Sequence, residues 1–396
     1  MSGVLQRLRR MQDLERITRP IDPETRAVMD RRWAELPAHV RTPAQTLGRI
    51  AVGCEGTHGV FPRCNLACTP CYHSREANRV AVDGAHTVAQ VRAQMALTRE
   101  RRGPRAHAQL IGGEVSLLPP EAHAEALQTM RDYGREPMSM THGDFDYDYL
   151  RAVAVGPDGA RRFSRMSFAG HFDMMMFGRR GLERPPDEAS LNPYREAFCA
   201  MFARLRREHG VGSYLAHNMT VTPRNLGQVA QVIRDCHASG FAMFSFQPAA
   251  YVGDERRWHE DYREFSDDAV WAQVEAGVGA RLPYRALQTG DERCNRTAYG
   301  IYVGEEWFPL LDDAVPADLR ARDLWFRHLG GMNFANRSVP VLVVKLARVL
   351  VAHPAVLAAG AGWAARRLRQ IGPRRLLRHP RVRPVAFVMH SFMDAA

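Results

Sequence analysis

The chain has 396 residues, of which 45% are hydrophobic and 24% are charged. This composition is typical of a globular protein and excludes a disordered chain, a collagen-like chain and a polytopic membrane protein. No uncharged apolar run reaches the roughly 18 residues of a transmembrane helix, and the N-terminus lacks the apolar core of a secretory signal. The net charge is +11, and every basic residue except Lys345 is an arginine. We attribute this bias mainly to the codon usage of a GC-rich genome.

Residues 1–52 are predicted to form an amphipathic helical extension interrupted by prolines. Between residues 53 and 255, short apolar segments alternate with helical ones. The predicted strands are Gly59–Arg63, Ala106–Ile111, Pro137–Thr141, Arg165–Ala169, Ser213–Val221 and Phe241–Phe246. The predicted helices are Val88–Arg101, Pro120–Tyr133, Asp146–Val153, Pro193–Glu208 and Pro223–Ser239. This alternation predicts an α/β fold with a parallel sheet that closes into a full or partial barrel, whose active site lies at the carboxyl ends of the strands.

The alternation fades in the remaining sequence. Residues 256–338 are expected to form a mixed extension, with a helix over Ser266–Leu282 and irregular, aromatic sequence from residue 283. The last segment, 339–396, begins with the strongly apolar stretch Val339–Ala352. Eight arginines follow, at positions 366, 367, 369, 374, 375, 378, 381 and 383. The chain end, from Val388, is expected to be a strand that enters a new element, so that the chain stops before its family's C-terminal element.

Three of the seven cysteines form the pattern C-x3-C-x2-C directly after the first predicted strand (Cys64, Cys68 and Cys71). Three thiolates on one loop can bind three irons of a [4Fe–4S] cluster, whereas electron-transfer clusters use four cysteines. The spacing therefore predicts a cluster whose fourth iron is open to a substrate or cofactor. A zinc site completed by His73 and a redox pair of Cys68 with Cys71 are alternatives.

The second predicted strand ends in the sequence Ile-Gly-Gly-Glu, residues 111–114. Two glycines let the backbone approach a ligand closely, and a carboxylate at this position can accept a hydrogen bond from an ammonium group. With these two motifs, the sequence over residues 55–255 resembles the radical S-adenosylmethionine (radical SAM) superfamily.

The resemblance implies a partial (β/α)6 barrel and two cofactors, a [4Fe–4S] cluster and S-adenosylmethionine (SAM). Cys64, Cys68 and Cys71 would hold the cluster, and SAM would chelate the open iron through its amino and carboxylate groups. The residues implied or considered for cofactor binding are Tyr72, Gly112, Gly113, Glu114, Ser167, Asn218 and Gln247. Two departures from the family pattern are Pro70 before the last cysteine and the absence of an acid after Ser167.

Two polar segments follow the third and fourth predicted strands. His142 and Asp144 in the first, with His171 and Asp173 in the second, are candidates to contact SAM or substrate. Methionines 174–176 would then shape an apolar wall. The alternative is that the aspartates cap a helix and the methionines fill gaps in the core.

The other cysteines help to choose among radical SAM enzymes. Cys199 and Cys236 lie on apolar helix faces and are expected in the core, whereas Cys294 is a candidate ligand of an auxiliary metal. No cysteine follows Cys294, which disfavours peptide-modifying relatives with cysteine-rich C-terminal domains and RNA-methylating relatives that use a C-terminal cysteine.

The segment 339–383 suggests a lipid-facing role. An apolar stretch followed by cations is typical of an interfacial segment on an anionic membrane. The alternatives are a core helix beside a solvated basic face, or a nucleic-acid patch, which the lack of interleaved aromatic residues disfavours. His390–Asp394 also resembles a segment of tetraether-lipid-synthase-like members of the superfamily.

These observations predict an oxygen-sensitive radical SAM enzyme that abstracts hydrogen from an unactivated C–H bond, with a lipid chain as the candidate substrate. A flavodoxin- or ferredoxin-like electron donor is implied. The expected location is cytoplasmic, peripheral to the inner face of the membrane. A peptide- or RNA-modifying radical SAM enzyme is the first alternative, and a non-catalytic zinc-binding interaction protein is the second.

Overall fold

The structure is a computed structural model, and it describes residues 11–71, 75–104, 106–250, 266–332 and 339–391. The predictions for Tyr72 and His73 lie outside the described residues, as does most of the segment His390–Asp394.

Eleven strands and twelve helices are described, besides short 3-10 turns. The strands are β1 (Cys54–Gly56), β2 (Ala67–Cys68), β3 (Ala106–Leu110), β4 (Arg135–Thr141), β5 (Arg165–His171), β6 (Met176–Phe177), β7 (Gly212–Val221), β8 (Met243–Pro248), β9 (Asn295–Val303), β10 (Glu306–Pro309) and β11 (Val382–His390). The helices are α1 (11–18), α2 (Pro23–Glu35), α3 (Gly84–Arg102), α4 (Pro120–Asp132), α5 (Tyr147–Ala154), α6 (Asn192–His209), α7 (Val229–Cys236), α8 (Asp267–Val278), α9 (Pro316–Leu329), α10 (Val339–Ala352), α11 (Pro354–Ile371) and α12 (Pro373–Arg378).

Nine strands form one sheet in the order β1-β3-β4-β5-β7-β8-β11-β9-β10. The first six in that order are parallel and follow the chain order, with one α-helix between each consecutive pair. This is the strand order of a partial (β/α)6 barrel, so the predicted fold class is confirmed. Because the strands are parallel, their carboxyl ends meet at one edge of the sheet.

The core lies between this sheet and its helices. Phe168 of β5 packs 5.0 Å from Phe202 of α6, and Phe198 lies 5.1 Å from Phe202, measured between ring centroids. Five of the six predicted strands are confirmed within two residues. The predicted helix at Pro223 begins later, at Val229, because the Asn225 side chain accepts a hydrogen bond from the Thr222 amide and holds a turn there.

The first predicted strand, Gly59–Arg63, is wrong. The strand is β1, and residues 59–63 form an irregular connection after it. Gly59 has a φ of +64°, and Pro62 has no amide hydrogen for a ladder. The apolar character of this connection reflects burial, since Val60 and Phe61 are buried in the core.

The expectation of irregular structure over residues 283–338 is wrong for residues 295–329. β9 and β10 form an antiparallel hairpin whose turn contains Gly304 at a φ of +65°, and α9 follows it. The chain then returns to the sheet, because β11 pairs in parallel with β8 and antiparallel with β9. The terminal strand therefore starts before Val388 and, instead of opening a new element, completes the same sheet.

Half of the eight C-terminal arginines serve internal contacts. Arg366 and Arg367 both pair with the buried carboxylate of Asp318 and so tie α11 to α9. Arg375 pairs with Glu306, and Arg383 donates to backbone carbonyls. The other four, exposed and without an ion pair among the described residues, are Arg369, Arg374, Arg378 and Arg381. The basic surface is therefore smaller than the one predicted from all eight arginines.

No helix in the described part of the chain is long and apolar enough by itself to cross a membrane. α10 and α11 pass that test only as a pair, and the pair is bent by 110°.

The insertion of β11 makes the chain end a core element. We predict that Phe387→Ala, at a fully buried side chain of β11, lowers the free energy of unfolding by about 3–5 kcal/mol because it opens a cavity against Phe244 and Trp307. Val382→Ala, on the same strand but 43% exposed, should change it by less than about 0.5 kcal/mol. Urea unfolding followed by circular dichroism measures both, and equal effects would contradict the placement.

Candidate active site at the carboxyl ends of the strands

The cysteine segment, residues 64–71, crosses the carboxyl edge of the sheet. Its short strand β2 pairs antiparallel with β6, which sets Cys68 opposite Met176. The Thr69 amide donates to the Met175 carbonyl at 3.1 Å, and the Thr69–Pro70 bond is cis. Because β6 follows β5 closely in the chain, this pairing holds the cysteines at the end of β5.

The three cysteines are free thiols of intermediate exposure. Burial raises the pKa of Cys64 to about 11. The Leu66 amide, which donates to its Sγ at 3.5 Å, lowers this pKa but has the smaller effect. The pKa of Cys68 is also raised, first by a hydrogen bond with Cys71 and then by burial. The Cys64 and Cys68 thiols are therefore protonated at neutral pH, and a metal must displace their protons to bind.

No group of three or more His, Cys, Asp or Glu side chains in the described ranges is placed to hold a single metal ion. This includes Cys294, the candidate auxiliary ligand. The zinc alternative depends on His73, outside the described residues. Cys199 and Cys236 are buried in the core, as predicted.

Gly112 and Gly113 pack against the connection that precedes the cysteines. The Gly113 amide donates to the Phe61 carbonyl at 2.5 Å, and the Glu114 amide donates to the Arg63 carbonyl at 2.7 Å. A Cβ atom on Gly113 would lie 2.2 Å from the Arg63 oxygen, and one on Gly112 would lie 2.5 Å from the Phe61 oxygen. The close approach predicted toward a ligand is thus toward the chain's own backbone, and the glycines position the cysteine segment.

The Glu114 carboxylate is buried at the ends of β3 and β4, with 1% of the residue exposed. It accepts hydrogen bonds from the Thr141 hydroxyl at 2.6 Å, the Ser116 amide at 2.9 Å and the His142 amide at 2.7 Å. Among the described residues no arginine or lysine forms an ion pair with it, and only the His142 ring approaches, at 3.3 Å. A buried carboxylate held in this way suits a cationic ligand group.

His142 and Asp144 are positioning residues. The His142 Nδ1 accepts from the Asp144 amide at 3.0 Å, so its Nε2 carries the proton and donates to Asn65 Oδ1 at 2.8 Å. Burial lowers the pKa of His142, which keeps the ring neutral. The Asp144 carboxylate is engaged by Arg180, and Asp146 caps α5. His142 thereby links the cysteine segment to the end of β4.

His171 and Asp173 form a second pair at the end of β5. The His171 Nε2 donates to Asp173 Oδ2 at 2.6 Å, with the Thr220 hydroxyl at 3.2 Å. Asp173 also accepts from the amides of Thr220 and Met175. The His171 side chain is 30% exposed, whereas that of Asp173 is 2% exposed. Of the two predicted histidines, His171 is the accessible one, and the methionines beside it are buried.

The strand registers sort the remaining candidates by face. His171 pairs with Asn218, and Thr220 pairs with Gln247, so these side chains share the face of the sheet turned away from the helices. His217 points to the helical side, where its Nε2 accepts from Arg195 at 3.0 Å and burial lowers its pKa. His217 therefore belongs to the core, whereas Asn218 and Gln247 remain candidates at the edge.

Ser167 lies within β5 and not at its carboxyl end, and its ribose contact stays a prediction. β5 extends to His171 instead of ending at Ala169. Ser167 is therefore four residues from the strand end, about 13 Å along the strand.

Four further residues of the site were not predicted. Asn65, Thr141 and Thr220 contact the predicted side chains, and Arg179 donates to the His142 carbonyl at 2.7 Å while its guanidinium lies 4.9 Å from the Phe172 ring centroid. For two of them the sequence carries a signal, since Asn65 is next to Cys64 and Thr141 is the last residue of a predicted strand.

A buried ion pair supports the β5–β6 connection from behind. Arg195 Nη2 lies 2.7 Å from Glu188 Oε2, and both residues are at most 1% exposed. Arg195 also donates to the Phe172 carbonyl, and Glu188 accepts from the Met174 amide and the Asn225 side chain. The charges are thus fully hydrogen-bonded, as a buried pair requires.

Comparison with known proteins gives matches only among solved structures; no family model and no curated protein matches the sequence. SuiB of Streptococcus suis bound to the precursor peptide SuiA is 11% identical, with a TM-score of 0.34 over 50% of this chain and 39% of that chain. The protein anSMEcpe with bound AdoMet and Cp18Cys peptide is 13% identical, with a TM-score of 0.36 over 56% of this chain and 57% of that chain. The same protein with AdoMet alone is 14% identical, with a TM-score of 0.33 over 51% and 54%. The chain thus matches less than two thirds of the length of either protein.

The close contact of Gly113 predicts a sensitive position. Gly113→Ala should displace the cysteine segment, because its Cβ would overlap the Arg63 carbonyl oxygen. We expect at least about a tenfold weaker retention of iron after anaerobic reconstitution, a loss of about 1.4 kcal/mol, with unchanged far-UV circular dichroism. The control is Gly360→Ala, whose Cβ would meet nothing within 4 Å. Normal iron binding by the Gly113 variant would contradict this role.

Proposed function

We propose that this protein is a radical SAM enzyme. The observation that carries the proposal is the joining of two sequence motifs at one sheet edge. The C-x3-C-x2-C segment and the Gly-Gly-Glu turn are held together by the hydrogen bonds of the Gly113 and Glu114 amides to the Phe61 and Arg63 carbonyls. Such a juxtaposition is what a [4Fe–4S] cluster and SAM bound side by side require.

The residues present fit these two groups. Cys64, Cys68 and Cys71 supply three thiols on one short segment, which suits a cluster with one open iron. The buried Glu114 carboxylate, which no arginine or lysine of the described residues neutralises, suits the ammonium group of SAM. Thr141 and the His142 amide fix the direction of that carboxylate.

When bound, the reduced cluster and SAM supply a 5′-deoxyadenosyl radical that removes a hydrogen atom from an unactivated C–H bond. The contribution of the chain is to release the thiol protons, to hold the SAM ammonium at Glu114 and to exclude water. The buried methionines 174–176 line the β5–β6 connection and support this exclusion. His171, Asn218 and Gln247 are proposed to contact SAM or substrate from the face of the sheet that they share.

Anaerobic reconstitution tests this proposal. The unsubstituted protein should bind about four iron and four sulfide ions and release 5′-deoxyadenosine when given dithionite and SAM. Cys68→Ala should lose both properties, whereas Cys199→Ala, at a buried core cysteine, should keep both. A colourless protein with one zinc ion, or cleavage of SAM by the Cys68 variant, would contradict the proposal.

We propose further that the substrate is a lipid chain, reached while residues 339–383 rest on the inner face of an anionic membrane. The support is the exposed apolar surface of α10, where Val339, Val343 and Val351 are 71%, 58% and 82% exposed. Exposed arginines such as Arg374 and Arg378 follow in the chain, each contributing about 1 kcal/mol near anionic head groups. A flavodoxin- or ferredoxin-like protein is the proposed electron donor.

Deuterium transfer distinguishes this substrate class from the alternatives. With SAM, dithionite and vesicles of anionic lipid whose acyl chains are perdeuterated, the 5′-deoxyadenosine released should gain one deuterium, detected by mass spectrometry. The reason is that the radical takes its hydrogen atom from the substrate. Unlabelled vesicles are the control. Release of 5′-deoxyadenosine without deuterium would contradict the lipid substrate while leaving the radical SAM proposal intact.

A further inference from the structure

We infer that α1 and α10 together form one membrane-docking surface, which takes the interface of an anionic lipid bilayer. This inference extends the membrane contact proposed above to a second element at the opposite end of the chain. It rests on the exposure and contacts of both helices and does not depend on the cofactor chemistry.

α10 has an inverted distribution of polarity. Lys345, the only lysine of the chain, is 3% exposed on its inner side, together with Val349 at 5%. Its outer side carries Val339, Val343 and Val351, which are among the most exposed apolar side chains of the described residues. An amphipathic helix on the surface of a globular protein usually turns its charged side chains to the solvent and its apolar side chains to the core. In α10, Lys345 and the exposed valines have the opposite arrangement.

α1 carries a matching apolar stripe. Met11, Leu14 and Ile17 are spaced three residues apart and therefore lie on one face of the helix. They are 67%, 61% and 41% exposed, whereas Thr18 is the one buried residue of α1. Nothing in the described part of the chain covers this stripe.

A polar contact joins the two helices. Arg348 of α10 donates to the Thr18 hydroxyl at 3.1 Å, and its guanidinium lies 3.8 Å from Glu15 Oε1. Glu15 is also paired with Arg19. The contact places α1 next to α10, so the exposed stripe of α1 and the outer side of α10 belong to neighbouring helices.

The chemistry of the surface favours a bilayer over a protein partner. Its exposed apolar side chains are aliphatic or methionine, whereas the energetic centres of protein interfaces are enriched in tryptophan, tyrosine and arginine. Cations follow it along the chain, because the exposed arginines Arg369, Arg374, Arg378 and Arg381 come after α10. Aliphatic faces bordered by arginine are the pattern of interfacial helices on anionic lipid.

Vesicle co-sedimentation of the full chain tests the surface. The probes are vesicles of phosphatidylcholine with phosphatidylglycerol, and of phosphatidylcholine alone. Leu14→Glu on α1 and Val343→Glu on α10 should each weaken binding to the anionic vesicles about tenfold, because each removes an apolar anchor and adds a repelled charge. Leu97→Glu, at a leucine of α3 that is 50% exposed, is the matched control and should bind as the unsubstituted protein does.

Normal binding by the α1 variant would overturn the joint surface, as would an equal loss in the Leu97 variant. Sedimentation velocity without lipid tests the alternative that a second copy of the chain covers this face. A dimer that Leu14→Glu dissociates would identify the face as a contact between two copies and overturn membrane docking. Iron content and SAM cleavage, measured in solution on the same variants, should be unchanged. A failure of the radical SAM proposal is thereby distinguishable from a failure of membrane docking.

Discussion

The site depends on one backbone constraint. The amides of Gly113 and Glu114 donate to the carbonyls of Phe61 and Arg63, and only glycine allows the two chain segments to approach so closely. This contact brings a segment without regular structure to the edge where parallel strands end. The pairing of β2 with β6 and the Asn65–His142 hydrogen bond then hold the cysteines from the other side.

Buried charge supports this arrangement at two depths. The buried Glu114 carboxylate accepts three hydrogen bonds and forms no ion pair with an arginine or lysine among the described residues, a state that suits a ligand's cation. In the second case, the charges of Glu188 and Arg195 neutralise each other, and Arg195 donates a hydrogen bond to the connection between β5 and β6. Removing one partner of such a pair typically costs about 3–5 kcal/mol, so this pair stabilises the connection.

The two ends of the chain have roles that their composition only partly indicates. Four of the eight C-terminal arginines hold α11, α12 and β11 against the fold, and four are exposed. The apolar segment over α10 is not a core helix, since Val339, Val343 and Val351 are exposed and Lys345 is buried, and α10 alone does not pass as a membrane span. We propose that this surface brings the enzyme to an apolar substrate.

The sequence by itself determined the alternating elements, the parallel sheet and the two motifs, because helical and strand periodicity and short motif spacing are local properties. Only the tertiary structure decided what depends on register and on distant contacts. β11 enters the sheet between β8 and β9, the glycines contact residues about fifty positions earlier, and Ser167 lies four residues before the end of β5. Local patterns could not distinguish His171 from His142, because burial and hydrogen bonds to distant residues such as Asn65 and Thr220 separate them. The same reason explains the arginines. A charge run shows composition, whereas acceptors distant in the sequence decide which members form ion pairs: Asp318 for Arg366 and Arg367, and Glu306 for Arg375.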